Sequence, residues 1–215
     1  MKLKVCGMKY IENIQEVAAL RPDYLGFIFY EKSKRNFFGI IPKLPESIKK
    51  TGVFVNSTVN EVLSKIIQYD LKAVQLHGDE TVDFVRELRQ TALISDSQND
   101  IEIIKVFGIM GSFNFEILTP YIQVVDYFLF DTKGKERGGN GITFDWKVLS
   151  DYPFSKPFFL SGGIGLEQLK EIEKIRKTNL PLYAVDVNSK FELEAGLKSV
   201  ENIQRFKNEI KISTN

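Results

Sequence analysis

Residues 52–77 read GVFVNSTVNEVLSKIIQYDLKAVQLH. Gly52–Asn56 is a short run of β-branched and aromatic residues that ends in a turn former, which is the pattern of a strand. Val59–Gln68 has the spacing of an amphipathic helix, and Ala73–His77 is a second apolar run. Strands that are apolar on nearly every residue are covered on both faces, so a strand, a helix and a strand in this order predict a parallel βαβ unit.

Outward from this unit the same alternation fills the chain. Strands are expected at Leu3–Cys6, Tyr24–Phe29, Ile101–Phe107, Tyr127–Asp131, Pro157–Ser161 and Leu182–Val187, which brings the count to eight. Helices are expected at Ile11–Leu20, Val82–Arg89, Leu166–Arg176 and Glu201–Ile210, with shorter ones at Pro42–Ile48 and Phe144–Leu149. Pro22, Pro120, Pro153 and Pro181 are read as stops after helical stretches. The prediction is an α/β protein: a single (β/α)8 TIM barrel over residues 1–215, with its active site at the C-terminal face of the strands. The open, doubly wound alternative would need a G-x-G-x-x-G turn after the first strand, where this chain has Cys6-Gly7-Met8-Lys9. The polar stretch Ser95–Asp100 reads as a loop on the opposite, amino-terminal face.

Composition narrows the function. The 215 residues are 43% hydrophobic and 27% charged, with a net charge of +1 from 29 basic and 28 acidic side chains. Such a balance supports one large core and provides no field to gather nucleic acid or a membrane surface. No signal-like or membrane-length apolar run is present, so a cytoplasmic location is expected. One cysteine and one histidine leave no multi-thiolate or His-rich set for a metal, and none is expected.

The chemistry-bearing residues fall at the carboxyl ends of the expected strands. Cys6 ends the first strand, where a thiolate can reach a ligand and act as a base. Asp131 ends the otherwise apolar run Tyr127–Phe130, and a carboxyl group there can serve as a proton donor, or merely as a turn former. Ser161-Gly162-Gly163 after the seventh strand, and Asn188-Ser189 after the eighth, lie where barrels build phosphate sites from backbone N–H groups. Arg35, in the loop after the second strand, offers a fork for a carboxylate. His77 is ambiguous between a ligand contact and a loop anchor. Asp186 completes the rim, and Lys133–Gly141 is a charged, glycine-rich loop able to close over a ligand.

Together these motifs resemble the phosphoribosylanthranilate isomerase family. The resemblance runs in order through Lys4-Val5-Cys6-Gly7, Gly26-Phe27-Ile28-Phe29 with Ser33-Lys34-Arg35, Gly52–Asn56, and Val74-Gln75-Leu76-His77-Gly78. It continues through Phe130-Asp131, Gly138-Gly139-Asn140-Gly141, Phe144-Asp145-Trp146, Ser161-Gly162-Gly163-Ile164 and Val185–Ser189. It implies an Amadori rearrangement of a phosphorylated small molecule, N-(5-phosphoribosyl)anthranilate, with Asp131 as general acid, Cys6 as general base and no cofactor. It further implies Arg35 on the anthranilate carboxylate and Gly162, Gly163, Asn188 and Ser189 on the phosphate; His77 and Asp186 are expected among the substrate contacts from their place on the rim. Two departures stand out: Lys34 where the family has proline before its arginine, and Asn188-Ser189-Lys190-Phe191-Glu192 where it has Ser-Ser-Gly-Val-Glu. Lys190 is expected to offset the lost glycine with a positive charge. The competing readings are another sugar-phosphate isomerase or synthase barrel, which Cys6 argues against, and a silent phosphate-binding barrel.

Overall fold

Eight parallel strands close on themselves in chain order: β1 Lys2–Val5, β2 Tyr24–Phe29, β3 Lys49–Phe54, β4 Ala73–Leu76, β5 Glu102–Ile109, β6 Tyr127–Thr132, β7 Phe158–Leu160 and β8 Leu182–Val187, with β8 pairing back onto β1. The computed structural model describes residues 1–94, 101–132 and 144–210. The expected strands are all present; Tyr24–Phe29 and Leu182–Val187 match at both ends, and the other ends differ by at most three residues. The expected loops at Ser95–Asp100 and Lys133–Gly141 lie outside the described residues.

Side-chain alternation fixes which residues look inward. Leu3 and Val5, Val74 and Leu76, Phe128 and Phe130, and Val185 and Val187 belong to the outer core, packed with helix residues such as Ile14, Val62, Leu88, Ile172 and Phe206. Their neighbours in sequence must then face the barrel axis. Some are apolar and form a second, inner cluster of Ala73, Ile104, Val106, Leu129, Phe159 and Ala184 with Tyr24. The others are Lys4, Cys6, Gln75, Asp131 and Asp186, all buried. A period of two thus converts an outward apolar residue into an inward polar one.

The helices are α1 Ile11–Ala19, α2 Val59–Tyr69, α3 Val82–Ile94, α4 Leu169–Arg176 and α5 Val200–Glu209. Sequence chemistry sets several ends. Thr58 and Glu61 form a reciprocal capping box at the start of α2, and Ser199 accepts from Asn202 N–H at the start of α5. The first turn of the expected Leu166–Arg176 helix is a 3-10 turn at Leu166–Gln168.

Other expectations are corrected. Pro42–Ile48 is not helical; the second of its two prolines, Pro45, removes a donor and disfavours the helical conformation at Leu44, and only a turn forms, closed by Ile48 N–H on Pro45 C=O. Phe144–Leu149 becomes a 3-10 helix at Trp146–Asp151, capped by Asp145. A further 3-10 helix at Phe115–Tyr121 contains Pro120, which therefore does not follow a helix but sits in its last turn, where few i→i+3 bonds are lost. Unexpected too is the segment after β8. A 3-10 turn at Ser189–Phe191 leads into an antiparallel pair, β9 Glu192–Glu194 and β10 Leu197–Lys198. No helix among the described residues is long and apolar enough to cross a membrane.

Candidate active site

A cleft of about 410 Å³ opens at the carboxyl ends of the strands. Cys6, Arg35, His77, Asp131, Gly162, Gly163, Asp186, Asn188 and Ser189 all line it, joined by Gln75 and by apolar Ile28, Val53, Val55 and Ile164. These nine candidate residues are thus brought to one cavity.

At its floor, Lys4 Nζ donates to Asp186 Oδ2 at 2.9 Å, a fully buried ion pair between residues 182 apart in sequence. The second oxygen, Asp186 Oδ1, and Gln75 Oε1 are buried with no hydrogen-bond partner among the described residues. Unpaired buried acceptors are costly, and a ligand hydroxyl can satisfy them. Gly26 makes the floor possible. A Cβ there would lie 2.8 Å from Cys6 Sγ and 3.2 Å from Lys4 Nζ, so only a residue without a side chain lets thiol and ammonium adjoin.

Burial pushes the Cys6 thiol up from its usual range and Asp186 adds to this, while the Lys4 and Lys198 ammonium groups pull it down. Burial likewise raises Asp186, against the pull of Lys4. For Lys4 burial acts downward, yet attraction to Asp186 and Cys6 outweighs it and the group is held above the ordinary lysine range. We read the 2.9 Å contact as an ammonium–carboxylate pair, because an unpaired charge of either sign would be far costlier at this depth.

Across the cleft, Asp131 Oδ2 lies 3.4 Å from His77 Nε2, and Asp131 Oδ1 accepts from Thr132 N–H at 2.8 Å. His77 Nδ1 is 3.3 Å from Gln75 Nε2. His77 follows β4, whose end is pinned by the buried Glu80 carboxylate. That group accepts from Asn56 N–H and Gly78 N–H, and from Lys105 Nζ at 3.0 Å. The imidazole thus lines the cleft and stands beside the Asp131 carboxyl group.

Gly162 and Gly163 have φ of +89° and +64°, conformations that other residues adopt only with strain. A Cβ on Gly162 would also stand 3.0 Å from Asp131 Oδ1. This turn presents backbone to the cleft beside the acid. Opposite, Arg35 is gripped by Glu192: Nε donates to Oε1 at 2.8 Å and Nη2 to Oε2 at 2.7 Å. Lys190 is not where the sequence suggested. Its Nζ lies 3.4 Å from Glu167, outside the cleft lining, and the buried cation beneath this segment is Lys198.

Lys4, Gln75, Glu192 and Lys198 were missed from sequence. For Lys4 a signal existed: it lies two residues before Cys6 in a strand, hence on the same face. Among the described residues no group of three or more His, Cys, Asp or Glu side chains could hold a metal ion.

Residues 3–209 match the family model described as N-(5'phosphoribosyl)anthranilate (PRA) isomerase. The chain belongs to the phosphoribosylanthranilate isomerase family. It is 41% identical to the N-(5'-phosphoribosyl)anthranilate isomerase of Parabacteroides distasonis, over 96% of this chain and 91% of that one. Among solved structures, the phosphoribosyl anthranilate isomerase of Thermotoga maritima is 29% identical with a TM-score of 0.80, each chain covered to 98%. A phosphoribosyl anthranilate isomerase in complex with reduced 1-(o-carboxyphenylamino)-1-deoxyribulose 5-phosphate is 27% identical, with a TM-score of 0.77 and 98% coverage of both chains. The floor and walls of the cleft in this family member are thus carried by an ordinary barrel of the family.

Proposed function

We propose that the chain converts N-(5-phosphoribosyl)anthranilate to 1-(2-carboxyphenylamino)-1-deoxyribulose 5-phosphate, a step of tryptophan biosynthesis, with Asp131 as general acid and Cys6 as general base. Asp131 donates its proton to the ribose ring oxygen; the C1′–O bond breaks and the aniline nitrogen forms a protonated Schiff base at C1′. The Cys6 thiolate removes the proton from C2′, giving an enolamine that tautomerises to the ketose. Proton transfers at adjacent atoms need an acid, a base and an anchored anion, and no redox partner. Backbone at Gly162, Gly163, Asn188 and Ser189 holds the phosphate, Arg35 the carboxylate, and Asp186 Oδ1 accepts from a sugar hydroxyl. His77 keeps Asp131 aimed. A single domain over residues 1–215 and a cytoplasmic location belong to the same reading.

The observation that carries this is the pairing of a buried thiol and a carboxyl group on one 410 Å³ cleft, in a chain of this family. The test is turnover of N-(5-phosphoribosyl)anthranilate by the purified protein. Cys6→Ala and Asp131→Asn are each expected to lower kcat by roughly 10²–10⁴ while product analogue still binds. Near-normal kcat in either variant would sink the assigned roles.

A further inference from the structure

We infer that Lys198 is a positioning residue for substrate recognition: through Glu192 it fixes the guanidinium of Arg35 in the orientation that receives the substrate's carboxylate. The inference rests on the reading of Arg35 given above.

Arg35 sits in the loop after β2, where no helix follows to brace it, so its direction must be set from elsewhere. Glu192 supplies this by holding the Nε–Nη2 edge in two places. A carboxylate from the substrate then takes the Nη1–Nη2 edge. Glu192 belongs to a strand of three residues and would itself wander. It is held by Lys198 Nζ at 2.7 Å and by Gly196 N–H at 3.0 Å, and it pairs with Lys198 across the β9–β10 ladder. Burial opposes ionisation of Glu192, but Arg35, Lys198 and Gly196 together keep its carboxyl below the usual range.

Lys198 is in turn anchored to the barrel wall. Asn13 of α1 accepts from its N–H at 2.7 Å and donates to its C=O at 2.9 Å, and Lys198 Nζ also donates to Asn188 Oδ1 at 2.6 Å. Its side chain is fully buried and does not line the cleft. Burial lowers it to about 8, with Arg35 adding to the fall and Glu192 and Cys6 opposing it. A buried cation with no access to the ligand is expensive. The unbroken chain α1, Lys198, Glu192, Arg35 is the function that the structure gives it.

The experiment compares wild type, Lys198→Met and Glu192→Gln on N-(5-phosphoribosyl)anthranilate and on N-(5-phosphoribosyl)aniline, which lacks the carboxylate. If the aniline compound is not turned over, its competitive inhibition constant replaces KM. Each variant is expected to raise KM for the anthranilate substrate about tenfold or more and to lose most of this penalty on the aniline compound; kcat of Glu192→Gln stays within about threefold, while Lys198→Met also removes a charge that favours the Cys6 thiolate and so lowers kcat alike on both compounds. A KM penalty equal on both compounds, or a penalty falling on kcat alone, overturns the inference. Should Lys198→Met fail to fold, the isosteric Glu192→Gln decides. Absence of turnover by wild type sinks the isomerase reading and this inference with it, whereas an active wild type with a carboxylate-blind penalty sinks this inference alone.

Discussion

The two mouths of the barrel are built from the same inward-facing register and hold opposite kinds of chemistry. At the amino-terminal mouth, Tyr24 Oη donates to Glu102 at 3.0 Å and lies 3.1 Å from Tyr183 Oη, and Lys49 pairs with Glu102. The Tyr127 and Tyr183 rings stack at 4.4 Å, and Phe159 meets Tyr24 edge-on at 5.3 Å. At the carboxyl-terminal mouth, acceptors on Gln75 and Asp186 are left over and a thiol lies against an ammonium group. One end spends its polar groups on itself and plugs the barrel; the other keeps them for a ligand. Stability and reactivity are thus separated along one axis by about the length of a strand.

Three experiments break or sharpen this contrast. Lys4→Met has the largest expected effect, because it leaves the Asp186 carboxylate buried and unpaired; a loss of about 3–5 kcal/mol in denaturant unfolding is expected. An unfolding midpoint close to wild type would mean that the floor of the cleft is as self-sufficient as the plug. The second reads acidity. In the proposed mechanism Cys6 acts as a thiolate, and its folded value lies above the usual one, so below that value the active fraction climbs as pH rises. Accordingly kcat should increase between about pH 6 and 9 by close to tenfold per unit at the steepest. In Lys4→Met, which loses the charge favouring thiolate, the rise should move to higher pH. A flat profile would mean that Cys6 does not limit the rate. The smallest effect belongs to the plug: Tyr24→Phe should cost about 1–2 kcal/mol of stability and leave kcat/KM within about twofold. A large catalytic defect there would dissolve the separation.

The strands were legible because their signal is local. Each is a short β-branched and aromatic run with its own turn former, so Cys6, Asp131 and Asp186 could be assigned to one rim from their places at the strand ends. What was not legible is contact between distant segments. Nothing near Arg35 announces Glu192, 157 residues away, and nothing in a lone lysine at 198 announces that it will be buried. Lys190 drew attention because it stood inside a motif, yet its side chain points to Glu167. The missing helix at Pro42–Ile48 reflects a local rule given too little weight, since Pro45 sits in the middle of the segment.

The seam where β8 meets β1 joins an early segment of the polypeptide to a late one, and Lys4, Asp186 with its orphaned carboxylate oxygen, and the Cys6 thiol just beyond β1 lie along it. Cys6 and Lys4 therefore lie more than 175 residues before Asp186, Glu192 and Lys198, so the thiol and its full charge environment meet only when the ring of strands closes.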